Sequence, residues 1–493
     1  MVDSSLKPFP AAEFGFAEAQ HLLFRAGFGG TAEQIAAIQR MGLGRAVDYL
    51  VDYEQLSTQG LDEPEIDPDL IRPFTREEQT AQRQARQKGD EAELGKFRAL
   101  RNQALARDQV QLAGLQNWWL RRMILTPRPL EENLSLLWHS HLATGYRSVE
   151  DAYVMWVQNQ FIRENAAGSF ATLALGIIRD PAMLIYLNNN RNLRARPNEN
   201  LARELMELFT LGEGNYTEAD IKDGARALTG YMVQDHDFVF RRNQHDPDEK
   251  TILGVTGPHA GEDFVKILLA QPACAEFIAY KLYRHFVADV QRDRLPESAL
   301  PVIRGLAMEL RLQQYELKPV LKKLFASRHF YDAAIRGAKI KSPIQLIVQQ
   351  IRSLHTPARD VDKLLDAARL MGMDLFQPPN VAGWPGGRAW INTSTLFARQ
   401  NTATYLITGK APYGDWDRSR IHYDPMPLLE TLDKRTPEAV TRHLAQLALG
   451  SASTPARVGE LRDFMKKHND AITPDMLIAM LSLLTAMPEY QLY

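Results

Sequence analysis

Only one cysteine, Cys274, occurs in 493 residues. That excludes an intrachain disulfide and any metal site built from several thiolates. It sits in an apolar helical run (PACAEFIAYKLYRHFV), where a packed, inert thiol is expected rather than a nucleophile. Neither sign of charge dominates: 58 basic and 60 acidic side chains leave a net −2. A general nucleic-acid binder draws its affinity from excess basic charge, so none is expected. No run reaches the ~18 apolar residues of a membrane-spanning helix. The opening stretch, MVDSSLKPFPAAEFGF, lacks the basic-then-apolar pattern of a secretory leader. The expected location is cytoplasmic, or exported where a leader has been removed. Also missing are a Gly-x-Ser-x-Gly elbow, a Walker loop and a Gly-x-Gly-x-x-Gly turn after a strand. The loop Gly212-Glu-Gly-Asn-Tyr-Thr217 is too short, and too poor in alternating acids, for calcium.

What remains is an ordinary globular composition, 45% hydrophobic and 24% charged, with helical periodicity almost throughout. The clearest case is residues 198–231, NENLARELMELFTLGEGNYTEADIKDGARALTGY. Leu201, Ala202, Leu205, Met206, Leu208 and Phe209 fill one helix face, and Glu199, Asn200, Arg203, Glu204 and Glu207 the other. Leu211-Gly212 reads as a glycine stop. Thr217, with Asp220 three residues on, restarts a helix as a capping box. Thr31 with Gln34 carries the same signal near the start.

The expected class is mainly α: a multi-helix core with one small β-hairpin and a Pro/Gly/Trp-rich loop. Residues 1–60 read as N-terminal helices, and 61–126 as a charged connector with long helices, a possible insertion. Residues 127–410 form the main core with the site, and 411–493 a helical appendix. Residues 76–108 interleave acids and bases, as a solvated helix does. The hairpin is expected from FVFRR and TILGVTG, joined by a long loop holding His245-Asp246. Prolines, glycines and two tryptophans, Trp384 and Trp390, rule out a helix in FQPPNVAGWPGGRAWIN. These rings suit either stacking on a flat ligand or pinning the loop to the body.

Four residues attract a metal reading: His139 and His141 in LWHSH, and His245 with Asp246. On a continuous helix the two imidazoles of His139 and His141 stand roughly 200° apart, so they share an ion only if the helix ends near Ser140. His21, among Leu22, Leu23 and Phe24, reads as a packed histidine.

Several of these segments together resemble the bacterial domain-of-unknown-function family numbered 1800. They are HLLFRAGFG (21–29), WHSHLATG (138–145), NENLARELMELFTLG (198–212) with the stretch to Gly230, His245-Asp246, and PPNVAGWPG (378–386). The resemblance spans about residues 14 to 407. It implies a mostly helical fold, no established reaction, frequent export, and a possible protein partner of a sulfatase-like family.

Two functions follow as expectations. One is a metal-assisted enzyme of the hydrolase or oxidase kind, acting on an unidentified small molecule or glycan. In it His139, His141, His245 and Asp246 hold a divalent ion, Glu204 or Glu207 acts as ligand or base, and Arg203 grips an anionic group. Asn200, Trp384 and Trp390 complete the ligand contacts. The other is a non-catalytic helical binding or assembly protein, in which Glu199, Arg203 and Glu207 are a surface ion-pair ladder.

Overall fold

A computed structural model describes residues 6–410 and 421–493. Among them are twenty-two α-helices and two two-stranded antiparallel sheets. The capping boxes at Thr31 and Thr217 both form. None of the described helices is long and apolar enough to cross a membrane. One hydrophobic core runs from Leu6 to Tyr490. The helix Pro437–Leu449 belongs to it, and Gln20 near the start of the chain donates to the carbonyl of Gln446 at 2.9 Å.

Helix Pro129–His141 lies at the centre and is buried on nearly every face. Pro129 at its first position and Glu131 and Glu132 in its first turn favour its start. Glu132, fully buried, is clamped by Arg122 Nε at 2.6 Å and Arg163 Nε at 2.9 Å, and Trp119 Nε1 donates to it at 2.9 Å. Arg122 and Trp119 belong to helix Glu91–Leu125 and Arg163 to helix Ala152–Glu164. One carboxylate therefore fixes the central helix against two neighbours. The charged run 76–108 does not stand apart from this. It covers helix Arg76–Lys88 and the exposed half of the same 35-residue helix, whose C-terminal half carries Trp118, Trp119 and Met123 into the core.

The β structure differs from the single long-looped hairpin expected. Tyr231–Gln234 pairs with Asp237–Phe240, and Lys250–Ile252 pairs with Val255–Gly257. Each pair closes through a two-residue turn with positive φ at both positions, 51° and 69° at Asp235-His236 and 49° and 80° at Leu253-Gly254. Such turns match the right-handed twist of paired strands. Local pairing therefore wins over a connection across His245-Asp246, which becomes the linker between two hairpins.

Candidate functional site

The central helix continues through His141, so the two histidines of LWHSH point apart. His139 is enclosed by Trp119, Phe376 and Trp384, with ring centroids 5.2, 5.1 and 5.9 Å away. Neither of its ring nitrogens has a hydrogen-bond partner, and burial, with Arg163 nearby, pushes its pKa down to about 3. His141 faces the other way. Its Nε2–H donates to the Phe209 carbonyl at 2.9 Å, which leaves Nδ1 as an unshared acceptor, buried and unpartnered. Burial first, and then the Lys281 charge, lowers its pKa to about 3. It is a neutral imidazole at physiological pH.

His245 and Asp246 lie elsewhere. His245 Nδ1 meets the Thr229 carbonyl at 3.0 Å. Asp246 takes Arg226 Nε at 2.7 Å, which helps hold its carboxyl below the usual range against the opposing effect of burial. Among the described residues no group of three or more His, Cys, Asp or Glu side chains is arranged to hold a metal ion. His139, His141, His245 and Asp246 therefore do not assemble into one centre. The structure also keeps the polar face of 198–212 away from His141. Arg203 forms a forked pair with Glu218, both contacts at 2.8 Å, and a third contact to Glu199. Of the ladder expected from sequence the Glu199–Arg203 rung forms, while Glu218 takes the fork and Glu207 does not join it. Glu207 accepts from the Tyr216 hydroxyl at 2.8 Å. Glu204 is half-buried, its carboxyl raised by burial and by Glu207. Asn200 is exposed at the rim of a separate hollow bordered by Asn188 and Asn198.

The residues that do meet surround a cavity of about 140 Å³. Its walls are one face of the central helix (Asn133, Ser140, His141), one face of helix Pro272–Phe286 (Lys281, Arg284, His285), the paired Asp289 and Lys339, and the Trp384–Trp390 loop. Lys281, Arg284 and His285 stand at i, i+3 and i+4, on one helix face. Asn133 donates its amide to the carbonyls of Arg25 and Gly27. Its oxygen therefore accepts from His285 Nε2–H at 2.8 Å, and His285, like His141, keeps Nδ1 as an acceptor. Burial, with the Lys339 charge, holds its pKa at about 3.

The cations are less well partnered than the imidazoles. Lys339 pairs with Asp289 and donates to the Arg284 carbonyl at 2.9 Å. Arg284 donates to the Pro385 carbonyl but meets no carboxylate among the described residues. Among the described residues Lys281 has no hydrogen bond or ion pair, and it lies over the Phe277 ring with the centroid 4.9 Å from Nζ. Burial, followed by the charges of Arg284 and Arg292, lowers its pKa from 10.5 to about 8. Three cationic side chains thus line the cavity against one carboxylate side chain, Asp289.

Backbone constraints fix the loop that closes it. At Gly383 φ is +82°, and a Cβ there would stand 2.0 Å from the Ser140 carbonyl oxygen. The next amide, Trp384 N–H, donates to Ser140 Oγ at 3.1 Å. Trp384 and Trp390 are 8% and 4% exposed, so they pin the loop and wall the cavity together. Trp384 Nε1 is buried without a partner.

Of the residues singled out from sequence, His141, Trp384 and Trp390 line this cavity; His139 backs it through Trp384. Lys281, Arg284, His285, Asn133, Ser140, Asp289 and Lys339 were missed. A signal existed for three of them: three basic side chains on one face of the run around Cys274. Cys274 itself is buried, its thiol pushed up to about 12 by burial.

Fold and cavity together define a mainly helical protein with a partly open, cation-lined site between two core helices and a Pro/Gly/Trp loop. The chain belongs to the family described as protein of unknown function (DUF1800), whose model matches residues 21–492. No curated protein and no solved structure matches it.

Proposed function

We propose that the cavity under the Trp384 loop binds a small organic anion and serves as the active site of an enzyme acting on it. The observation that carries this reading is that Lys281 and Arg284 face one cavity and neither has a carboxylate partner. Keeping two such cations partly desolvated without a counter-charge is unfavourable for folding, and a bound anion removes that penalty. Size limits the ligand: an engineered cavity of about 150 Å³ takes up benzene, so roughly six to eight non-hydrogen atoms fit. The neutral His285 imidazole, whose Nε2–H is taken by Asn133, adds a hydrogen-bond acceptor at Nδ1 for a hydroxyl group. The metal-assisted form of the enzyme reading loses its support, because its four ligands are dispersed.

Calorimetric titration with oxalate, six non-hydrogen atoms and two negative charges, tests this. Binding is expected in the wild type and weaker by tenfold or more in Lys281→Met and in Arg284→Ala, since a charge-assisted hydrogen bond contributes about 1.5–3 kcal/mol. Binding unaffected by both substitutions, or no binding by oxalate, phosphate or a short hydroxy acid, sinks the reading.

A further inference from the structure

We infer that Lys281 forms an imine with a small α-oxo acid whose carboxylate is held by Arg284, a deepening that rests on the anion-site reading above. The geometry favours this over simple charge pairing in three ways. Lys281 and Arg284 are one helical turn apart on the same face, spacing a carbonyl carbon and an adjacent carboxylate between amine and guanidinium. The amine has no hydrogen-bond acceptor to hold its lone pair away from a ligand. Beside it on the cavity wall stands His141, kept neutral by burial and by the Lys281 charge, so it sets no further cation against the amine. The cavity suits pyruvate or glyoxylate, of about six or five non-hydrogen atoms, by the volume comparison already made.

The step balances without any outside reagent. The lysine amine adds to the carbonyl carbon, the C=O pair moves to oxygen, and a proton passes from nitrogen to that oxygen. The carbinolamine then loses its C–O bond, and the oxygen leaves as water after taking a second proton. In sum, ammonium plus carbonyl gives iminium plus water, with no change in total charge. A lowered amine pKa is how buried lysines become competent for this chemistry. With a pKa of about 8, Lys281 carries roughly three hundred times more free amine at pH 7 than an ordinary lysine.

The experiment is reductive trapping on the full chain. Protein is incubated at pH 7 with pyruvate or glyoxylate and cyanoborohydride, and then read by intact mass and peptide mapping. A single dominant adduct on Lys281, suppressed by excess oxalate and absent from folded Lys281→Arg, is the expected result. Labelling spread over surface lysines with Lys281 unmodified overturns the inference, as does equal labelling of the arginine variant elsewhere on the chain. Oxalate titration of the wild type separates the two readings. Oxalate binding without a Lys281 adduct removes the imine and leaves the anion site; neither binding nor adduct removes both.

Discussion

Replacing Lys281 by Met should make the protein more stable, and by an amount that depends on pH in a defined way. The folded state lowers the amine pKa from 10.5 to about 8, chiefly through burial. Between those two values the unfolded chain binds a proton that the folded chain does not, so wild-type stability rises with pH across that window. Below about pH 8 both states are charged and the folded state bears the whole penalty. At about 1.4 kcal/mol per tenfold change in proton affinity, the interval from about 8 to 10.5 corresponds to an upper value of about 3 kcal/mol. Methionine has nearly the same length and no charge, so Lys281→Met should exceed wild type by about 2–3 kcal/mol at pH 7, with the excess shrinking as pH rises and vanishing above about pH 10.5. Urea unfolding followed by circular dichroism, wild type against variant at several pH values, isolates this group because all others titrate in both proteins. Oxalate should narrow the gap at pH 7 by stabilising only the wild type. A variant no more stable than wild type at pH 7, or a gap that stays constant to pH 11, refutes the argument that Lys281 is an unpaired, partly desolvated cation.

Three further outcomes follow from the geometry. Glu132→Gln leaves Arg163 without a carboxylate and Arg122 with only its longer contacts to Glu131 and Glu63, 3.5 and 3.8 Å, around a fully buried position, so it should lower unfolding free energy by about 3–5 kcal/mol; a loss below about 1 kcal/mol, the range of a surface pair, would contradict this. Gly383→Ala meets both a positive φ and the Ser140 carbonyl, where the backbone term alone is about 1–2 kcal/mol. It should displace the Trp384 loop, change tryptophan fluorescence and abolish oxalate binding while far-UV helicity stays intact; retained binding refutes it. Asp180, fully buried, has its carboxyl raised to about 7 by that burial. Its folded pKa lies above its unfolded one, so the stability of wild type relative to Asp180→Asn should fall as pH rises from about 4 to 7. A pH-independent difference over that range would count against it.

The helical class, the two capping boxes and the packed state of Cys274 were legible because each rests on neighbours within a turn or two. The hairpins were half legible: the strand residues stood out, but Asp235-His236 and Leu253-Gly254 were not recognised as turns, since neither is the Asn-Gly or Asp-Gly pair that signals one. The site was mostly illegible for a different reason. Its walls come from helices Pro129–His141 and Pro272–Phe286 and from the loop near 384, segments far apart in the chain, and spacing within a segment carries no information about such convergence. Lys281, Arg284 and His285 looked like the ordinary polar edge of an apolar helix. Only the absence of a counter-charge in three dimensions marks Lys281 and Arg284 out.

The stretch 198–212, richest in functional groups when read as sequence, supports the cavity from behind and does not line it. Residues Leu205–Thr210 wind as a π-helix, and Met206 carries the closing bonds, its carbonyl accepting from both Leu211 and Gly212. Phe209 sits in the last turn, where carbonyls lose their intrahelical partners, and its oxygen is taken by His141 Nε2–H. Gly212 is forced by the same closure, with φ at +76° and an Arg292 guanidinium nitrogen 1.7 Å from where a Cβ would be. The helix end thereby selects the His141 tautomer and turns the Nδ1 lone pair away from Phe209. The charged outer face, with Arg203 between Glu199 and Glu218, ties this helix to Glu218–Ala227 and keeps that end in place. Its polar groups act on the site through two backbone carbonyls, Phe209 on His141 and Leu211 on Arg292, and that role has no signature in side-chain chemistry.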